Sequence, residues 1–377
     1  MKKRYYTYIG ILCSLLVFTG CDKDSVTPET GDKVPITLSA SSLPALMDIQ
    51  PQGASSSQGI QTRAETINSR SIGVVAVNTD QTTALSAIDW TGYYLNHVRA
   101  NGTNTTLKVD EKQVAFVLPQ WWPFNPNEYL AFVAYGPHSE GDSRVQRVGA
   151  TNTLKVTSNT TASFPDFIYT EPVGPWNKET AKANTDKAVS LGEFQHAMAK
   201  LDIRVILADK DGKPLAADKY PNPNRIRITK LEVSTVRTGG SFDLLQTPKS
   251  WVLNDPLAEA VTVRTHVNSA TPITADLSTF SNCFLLPGTH TESYVFIDIQ
   301  ELAATTDTSL NTVSRTAKIN EFEVTDGTGG AKLEMGKTTL LTIKVKYVPI
   351  PDPEQDIILE GQLVEWDYQG KSTVTIE

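Results

Sequence analysis

The stretch AKLDIRVIL, residues 199–207, decides the fold. Leu201, Ile203, Val205 and Leu207 fall on one side of an extended chain, and Asp202 and Arg204 fall on the other. Successive side chains of a strand point to opposite faces, so this alternation predicts a half-buried strand of an antiparallel sheet. The same period recurs in LLTIKVKYV (340–348), where Leu341, Ile343, Val345 and Tyr347 oppose Lys344 and Lys346. It recurs again in SYVFIDIQ (293–300), through Val295, Ile297 and Ile299. RIRITKLEVS (225–234) slips phase between Ile228 and Leu231, as a β-bulge does. YLAFVAYGP (129–137) is apolar on both faces and reads as a central strand. Helix-period segments are scarce, and SAIDWTGYYLNHV (86–98) supports at most one short helix. Strands recurring about every ten residues, with Gly, Pro and Asn turns between them, predict β-sandwiches.

Composition narrows the class. At 377 residues, two domains are the default expectation, and a hydrophobic fraction of 40% is enough for two cores. A net charge of -8 argues against nucleic acid as a partner. The 3 cysteines are Cys13, Cys21 and Cys283. The first lies in a leader and the second in a lipidation context, so no disulfide framework is expected. Cys283, in SNCFLLPG, reads as a small buried hydrophobe.

The first residues read as a leader. Lys2, Lys3 and Arg4 precede an apolar run from Tyr8 to Phe18, too short for a membrane span that needs about 20 residues. Thr19-Gly20 before Cys21 resembles a bacterial lipobox, with Phe18 a looser fit at the third position back. The expectation is a signal peptide over 1–20 and a lipidated Cys21; the alternative is an ordinary secretory signal with an incidental cysteine. Residues 22–33 form a charged tether, and 44–70 are rich in Ser, Gln and Gly. A structureless stretch of that length is unusual inside a compact domain. ADKDGKPLAADKYPNPN (208–224) falls near the expected domain boundary.

Enzyme chemistry has little to stand on. His97, His138, His196, His266 and His290 are scattered, without ligand spacing to one another or to Cys283. GxSxG, Walker A and GxGxxG patterns are absent, and DGTGG (326–330) reads as a hairpin turn. Trp121, Trp122 and Tyr129 could stack on sugar, but packing in a core or corner is the more ordinary use of such a cluster. The N-x-S/T matches at Asn101, Asn104 and Asn159 mean little in a bacterial lipoprotein. The sequence predicts no enzyme, no cofactor and no metal site.

Five segments in order carry a family resemblance. They are the lipobox, TRAETINSRSIGVVAV (62–77), WWPFNPNEYLAFVAYGP (121–137), FQHAMAKLDIRV (194–205), and FLLPG (284–288) with the closing GQLVEWDYQGKSTVTIE (361–377). Together they resemble the fimbrillin-like family, the type V pilins of anaerobic Gram-negative bacteria. The resemblance implies an all-β chain of two transthyretin-like antiparallel β-sandwich domains in tandem. On this sequence they map to 71–207, completed by a first strand at 34–43, and to 208–377. It implies a precursor delivered to the outer membrane by lipid on Cys21. An Arg-directed protease then cuts between Arg63 and Ala64, with Arg70 the rival site. The cut releases the strand whose Ile36, Leu38 and Ala40 fill a groove. A neighbouring subunit's strand replaces it, by β-augmentation. The donor candidate is 356–377, through Ile357, Leu359 and Leu363 and then Val374 and Ile376; the other use of those strands is the last hairpin of the second sandwich. Expected partners are other pilin subunits, the membrane through the lipid, and a host glycan or protein. A polymerising or accessory subunit fits better than an anchor, which must keep its lipid. The alternative function is a surface lipoprotein that anchors a pilus or binds glycan without polymerising.

Overall fold

Alternating apolar residues leave each strand one face to bury, and the chain does so by stacking sheets. The computed structural model describes residues 33–40, 71–346 and 357–365, apart from 109–110, 141, 159–163, 185–186, 210, 220–224, 266–270, 274–279, 289–291, 303–308 and 325–332. Among the described residues two five-stranded sheets enclose one core. The first runs Phe280–Leu285, Ala199–Ala208, Lys337–Lys346, Ile357–Glu365, Glu323–Val324. The second runs Val261–Thr265, Ile226–Thr235, Ser293–Leu302, Ser309–Lys318, with Thr271–Pro272 on Ile226–Thr235. Leu201, Ile203, Val205, Leu341, Ile343 and Val345 from one face meet Ile228, Leu231, Val233, Val295, Ile297 and Ile299 from the other. The period-two residues read from the sequence are thus the core of a β-sandwich. The phase slip in 225–234 is a register shift between Ile228 and Lys230 against the neighbouring strand.

Three pairings among the described strands depart from the antiparallel expectation. In the longest, Ala199–Ala208 and Lys337–Lys346 run parallel, from Lys200 opposite Thr338 to Ala208 opposite Lys346. Parallel neighbours need a long crossover, and here the intervening chain supplies it by building the opposite sheet. The edge strand Ser309–Lys318 carries Arg315 opposite the buried Ile297. Arg315 lines a cavity of about 130 Å3 together with Val295, Ile297, Ala317, Phe322 and Ile343. The Arg315 side chain is itself exposed, with Nη1 donating to the Ser314 carbonyl at 3.1 Å.

The other half is built on a nine-stranded sheet. Its order is Val189–Ser190, Leu38–Ala40, Glu111–Phe116, Tyr93–Lys108, Ser71–Thr79, Tyr129–Gly136, Ile168–Tyr169, Gln195–His196, with Val173–Trp176 also on Tyr129–Gly136. The two central strands are buried on both faces. Val74, Ala76, Phe132 and Ala134 enter one core, whereas Val75, Val77, Val133 and Tyr135 enter another. That second core is closed by a four-stranded sheet, Trp251–Leu253, Gly239–Asp243, Thr153–Thr157, Val145–Arg147. The four-stranded sheet therefore draws strands from both sides of residue 208. The segment after Ala208 turns back at once, with the Asp209 N–H donating to the Lys213 carbonyl at 2.8 Å. Around 86–98 the only helical element among the described residues is a short 3-10 turn, Leu85–Ala87.

Where the central strands pair, Gly73 lies opposite Tyr135 and the phenol ring covers its Cα. A Cβ there would stand 2.3 Å from Tyr135 Cζ. Tyr135 is 1% exposed and cannot swing aside. Gly73→Ala should destabilise the fold by about 1–3 kcal/mol, the usual cost of overpacking, read as a lower denaturant midpoint. Tyr135→Leu in the same chain should recover part of that loss; additive effects of the two changes would refute the contact.

Candidate functional site

The first strand occupies an interior seat in the nine-stranded sheet. Leu38–Ala40 pairs antiparallel with Glu111–Phe116, placing Leu38 opposite Val114 and Ala40 opposite Lys112. On its other side it pairs parallel with the two-residue strand Val189–Ser190. The Ile36 N–H donates to the Gln120 carbonyl at 2.8 Å, and the Trp122 N–H to the Val34 carbonyl at 2.9 Å. On the short-strand side, Val189 N–H donates to Thr37 and Leu191 N–H to Ser39, at 3.1 and 2.8 Å. Even-numbered residues therefore bond toward the long strand and odd-numbered ones toward the short strand. Ile36, Leu38 and Ala40 are buried in one core with Trp122, Leu130, Phe132, Val189 and Phe194. Ser39, on the opposite face, is also buried at 2% exposure. Burying Ile36 and Leu38 contributes roughly 1.5–3 kcal/mol each, with about 1 kcal/mol net for each ladder hydrogen bond.

One end of this seat is a rigid apolar loop, 117–127. The Tyr94 hydroxyl donates to the Trp121 carbonyl at 2.6 Å, Asn177 Nδ2 to the Pro126 carbonyl at 2.8 Å, and Lys178 Nζ to the Phe124 carbonyl. Trp122 turns into the core against Phe132, whereas Leu118, Trp121 and Phe124 are exposed at 70%, 42% and 62%. The sequence treated the two tryptophans alike, and the fold separates them.

A titratable cluster sits where the central strand Ser71–Thr79 begins. The His138 N–H donates to the Ser71 carbonyl at 2.9 Å. The His138 ring offers Nε2 to the His97 carbonyl at 2.9 Å and Nδ1 to the Glu140 N–H at 3.2 Å. Only the neutral ring, protonated on Nε2, satisfies both bonds. His97 lies in an irregular stretch of Tyr93–Lys108 with φ 53, a sparsely populated region for a side-chain-bearing residue. Its Nδ1 is 3.2 Å from the Tyr135 hydroxyl. Burial, reinforced by the nearby Arg147 guanidinium, lowers the His97 pKa to about 4. Burial also lowers that of His138 and pushes the Tyr135 hydroxyl well above its ordinary value. His196, in the strand Gln195–His196, is paired through Nδ1 with Asp166 at 2.5 Å, both side chains 2% exposed. It is a buried strand residue. Cys283 is fully buried, and desolvation pushes its thiol up to about 12, so it behaves as a hydrophobe. Among the described residues no group of three His, Cys, Asp or Glu could hold a metal ion, and no helix is long and apolar enough to cross a membrane.

Of the other sequence-predicted residues, Ile357, Leu359 and Leu363 lie in the strand Ile357–Glu365, opposite Val345, Ile343 and Thr339. Cys21, Arg63, Ala64, Arg70, Val374 and Ile376 lie outside the described residues, as do His266 and His290. Two features escaped the sequence reading: the short strand Val189–Ser190 that closes over the first strand, and the seat that Trp122 and Gln120 make for Val34 and Ile36. KAVSLGEF (187–194) does alternate at Val189 and Leu191. Two alternations are too few to separate from a turn.

Comparison with known proteins bears on fold and family. A family model described as fimbrillin-like matches residues 62–366. No curated protein matches. A solved structure assigned to cell adhesion, from Bacteroides uniformis, is 14% identical with a TM-score of 0.53, covering 90% of this chain and 99% of its own. A fimbrial assembly protein from Parabacteroides distasonis is 12% identical with a TM-score of 0.38, covering 88% and 99%. The fimbrial anchor protein Mfa2 from Porphyromonas gingivalis is 8% identical with a TM-score of 0.29, again covering 88% and 99%. The Bacteroides structure supports the fold; the other two likenesses are too distant to carry an argument.

Two measurements check the site. Leu38→Ala should lower the stability of the full-length chain by about 2–5 kcal/mol, as a buried Leu truncation does, read as a lower denaturant midpoint. An unchanged midpoint would remove Leu38 from the seat. For the histidines, the folded pKa lies below the unfolded value near 6.5, so the unfolded chain binds protons first as pH falls. Their contribution is complete above about pH 6.5 and is lost as pH drops toward about 4. Denaturant midpoints should fall through that window, and less so in a His97→Gln/His138→Gln variant.

Proposed function

The chain belongs to the fimbrillin-like family, and from that premise we propose that it is a structural subunit of a type V pilus, polymerised by strand exchange for cell adhesion. The single observation that supports this most is the seat of the first strand. A strand at the start of the chain lies inside a sheet, with a full partner on one side and only Val189–Ser190 on the other. Its departure leaves an interior ladder and a row of apolar seats open together, and a strand of like pattern from outside restores both.

In this reading the precursor is a lipoprotein anchored to the outer membrane through Cys21, and cutting after Arg63 removes lipid and first strand in one step. While the strand is attached, its effective concentration at the seat is on the order of millimolar, so exchange waits for the cut. In this reading the chain divides into two sandwiches after residue 207. A head-to-tail contact of this heterologous kind builds an open filament on the cell surface. A second reading has one observation in its favour: the exposed Trp121 and Phe124 suit a surface lipoprotein that binds glycan without polymerising.

N-terminal mass spectrometry of protein from cells should find a mature chain beginning at Ala64, and Arg63→Gln should leave an intact precursor that forms no denaturant-resistant ladder. Assembled fibres retaining lipidated Cys21 would overturn the proposal. Intact lipidated monomers as the sole cell-surface form would favour the glycan-binding reading.

A further inference from the structure

Resting on the reading of this chain as a lipoprotein precursor, we infer that the loop 117–127 is a membrane contact. Its exposed Leu118, Trp121 and Phe124 enter the headgroup boundary of the bilayer that holds the lipid on Cys21, and this fixes how the precursor stands on that surface. Seven large apolar side chains are exposed among the described residues, and four of them are Val117, Leu118, Trp121 and Phe124. The segment VLPQWWPFNPN (117–127) also holds no charged residue, in a chain that is 20% charged. A charge moved toward hydrocarbon loses hydration at high cost, and this loop has none to lose. Trp is at home where one end of its ring is apolar and the other wet, as at a membrane–water boundary. The carbonyls of Trp121, Phe124 and Pro126 are held by Tyr94, Lys178 and Asn177. The apolar groups are therefore displayed in place, and binding costs little in ordering them.

Where the chain enters the fold selects the bilayer over other occupants. Pro35 bridges to Trp121, and the Trp122 N–H donates to the Val34 carbonyl at 2.9 Å. Val34 follows Cys21 by 13 residues, a span of at most about 45 Å. A lipid on Cys21 therefore confines this loop to the neighbourhood of the membrane, at an effective concentration that lets a weak contact form. A soluble partner has no such help. The strand runs from Val34, at the loop, to Ala40 opposite Lys112, about 20 Å further on at the rise of an extended chain. With the loop in the interface, the chain that carries Arg63 leaves from the far end of that strand, away from the bilayer. Lasting attachment takes two membrane signals. Removing the lipid leaves one, so a subunit cut at Arg63 lets go.

Neutral vesicles of phosphatidylcholine and phosphatidylethanolamine test the contact in two arms. In the first, the uncut chain with lipid on Cys21 is reconstituted, carrying a polarity-sensitive dye at Phe124→Cys or at Val252→Cys. Val252 is 66% exposed in the strand Trp251–Leu253 of the four-stranded sheet, and the fully buried Cys283 does not take the dye. Emission at 124 should shift to the blue and be quenched severalfold by acyl-brominated lipid, with neither change at 252. In the second arm, a Cys21→Ser chain without lipid should partition onto the same vesicles weakly and with little dependence on salt, because the loop is uncharged. Leu118→Ser/Phe124→Ser should lower that partitioning by roughly tenfold or more, as the loss of two apolar anchors does, with an unchanged denaturant midpoint. Equal quenching at 124 and 252, or partitioning that the double change leaves intact, would overturn the inference. So would a chain that ignores vesicles and loses binding to a soluble glycan in the double variant. Cell-derived precursor without lipid on Cys21 would sink the lipoprotein reading and the orientation with it, while the Cys21→Ser arm decides the loop by itself.

Discussion

The backbone of an interior strand cannot be left unpaired, and the arrangement of this molecule turns on a place where that requirement is met by a segment distant in sequence. Buried N–H and C=O groups without partners cost about as much as lost hydrogen bonds. The ladder edge at Glu111–Phe116 is covered by a segment at the far start of the chain, joined to the next described strand by residues 41–70. The same segment supplies Ile36 and Leu38 to the core. Backbone pairing and apolar burial are therefore satisfied, or lost, together. A surface loop could leave without that coupling; this strand cannot.

Rigidity elsewhere makes the seat specific. The two central strands of the nine-stranded sheet feed a core on each face, and Tyr135 lies directly on the backbone of Gly73. A sheet buried on both sides has little room to curl inward, so under the proposed exchange the seats of Ile36, Leu38 and Ala40 would keep their spacing and sizes. The loop 117–127 acts the same way at one end, held by Tyr94, Asn177 and Lys178 so that Trp122 stays in the core.

Much of this was legible in the sequence, because strand periodicity is a local signal. Leu201 through Leu207, Val295 through Ile299 and Leu341 through Val345 alternate where they are half-buried, and 129–137 is apolar throughout because that strand is buried twice. Ile36, Leu38 and Ala40 were likewise readable as one face of a strand. What periodicity does not carry is pairing. The parallel neighbours Ala199–Ala208 and Lys337–Lys346 have the same alternation as antiparallel ones. Val189–Ser190 is too short to leave a periodic trace. The differing fates of Trp121 and Trp122 follow from a single backbone turn that places one residue outward and the next inward. The His97 and His138 pair was invisible for a related reason: it depends on a contact between a strand irregularity and a corner 41 residues later.

The parallel pair at the centre of this five-stranded sheet, Ala199–Ala208 with Lys337–Lys346, has a consequence in time. Lys200 cannot meet Thr338 until almost the whole chain exists. Contacts so distant in sequence must meet a large loop-closure entropy before they return any stabilisation, which makes such sheets slow to form. The hairpin of Lys337–Lys346 with Ile357–Glu365 can close locally, but it joins the rest of the sheet only by docking on Ala199–Ala208. The sheet is therefore finished by two pieces made far apart in time, the earlier of which must wait with one edge unpaired.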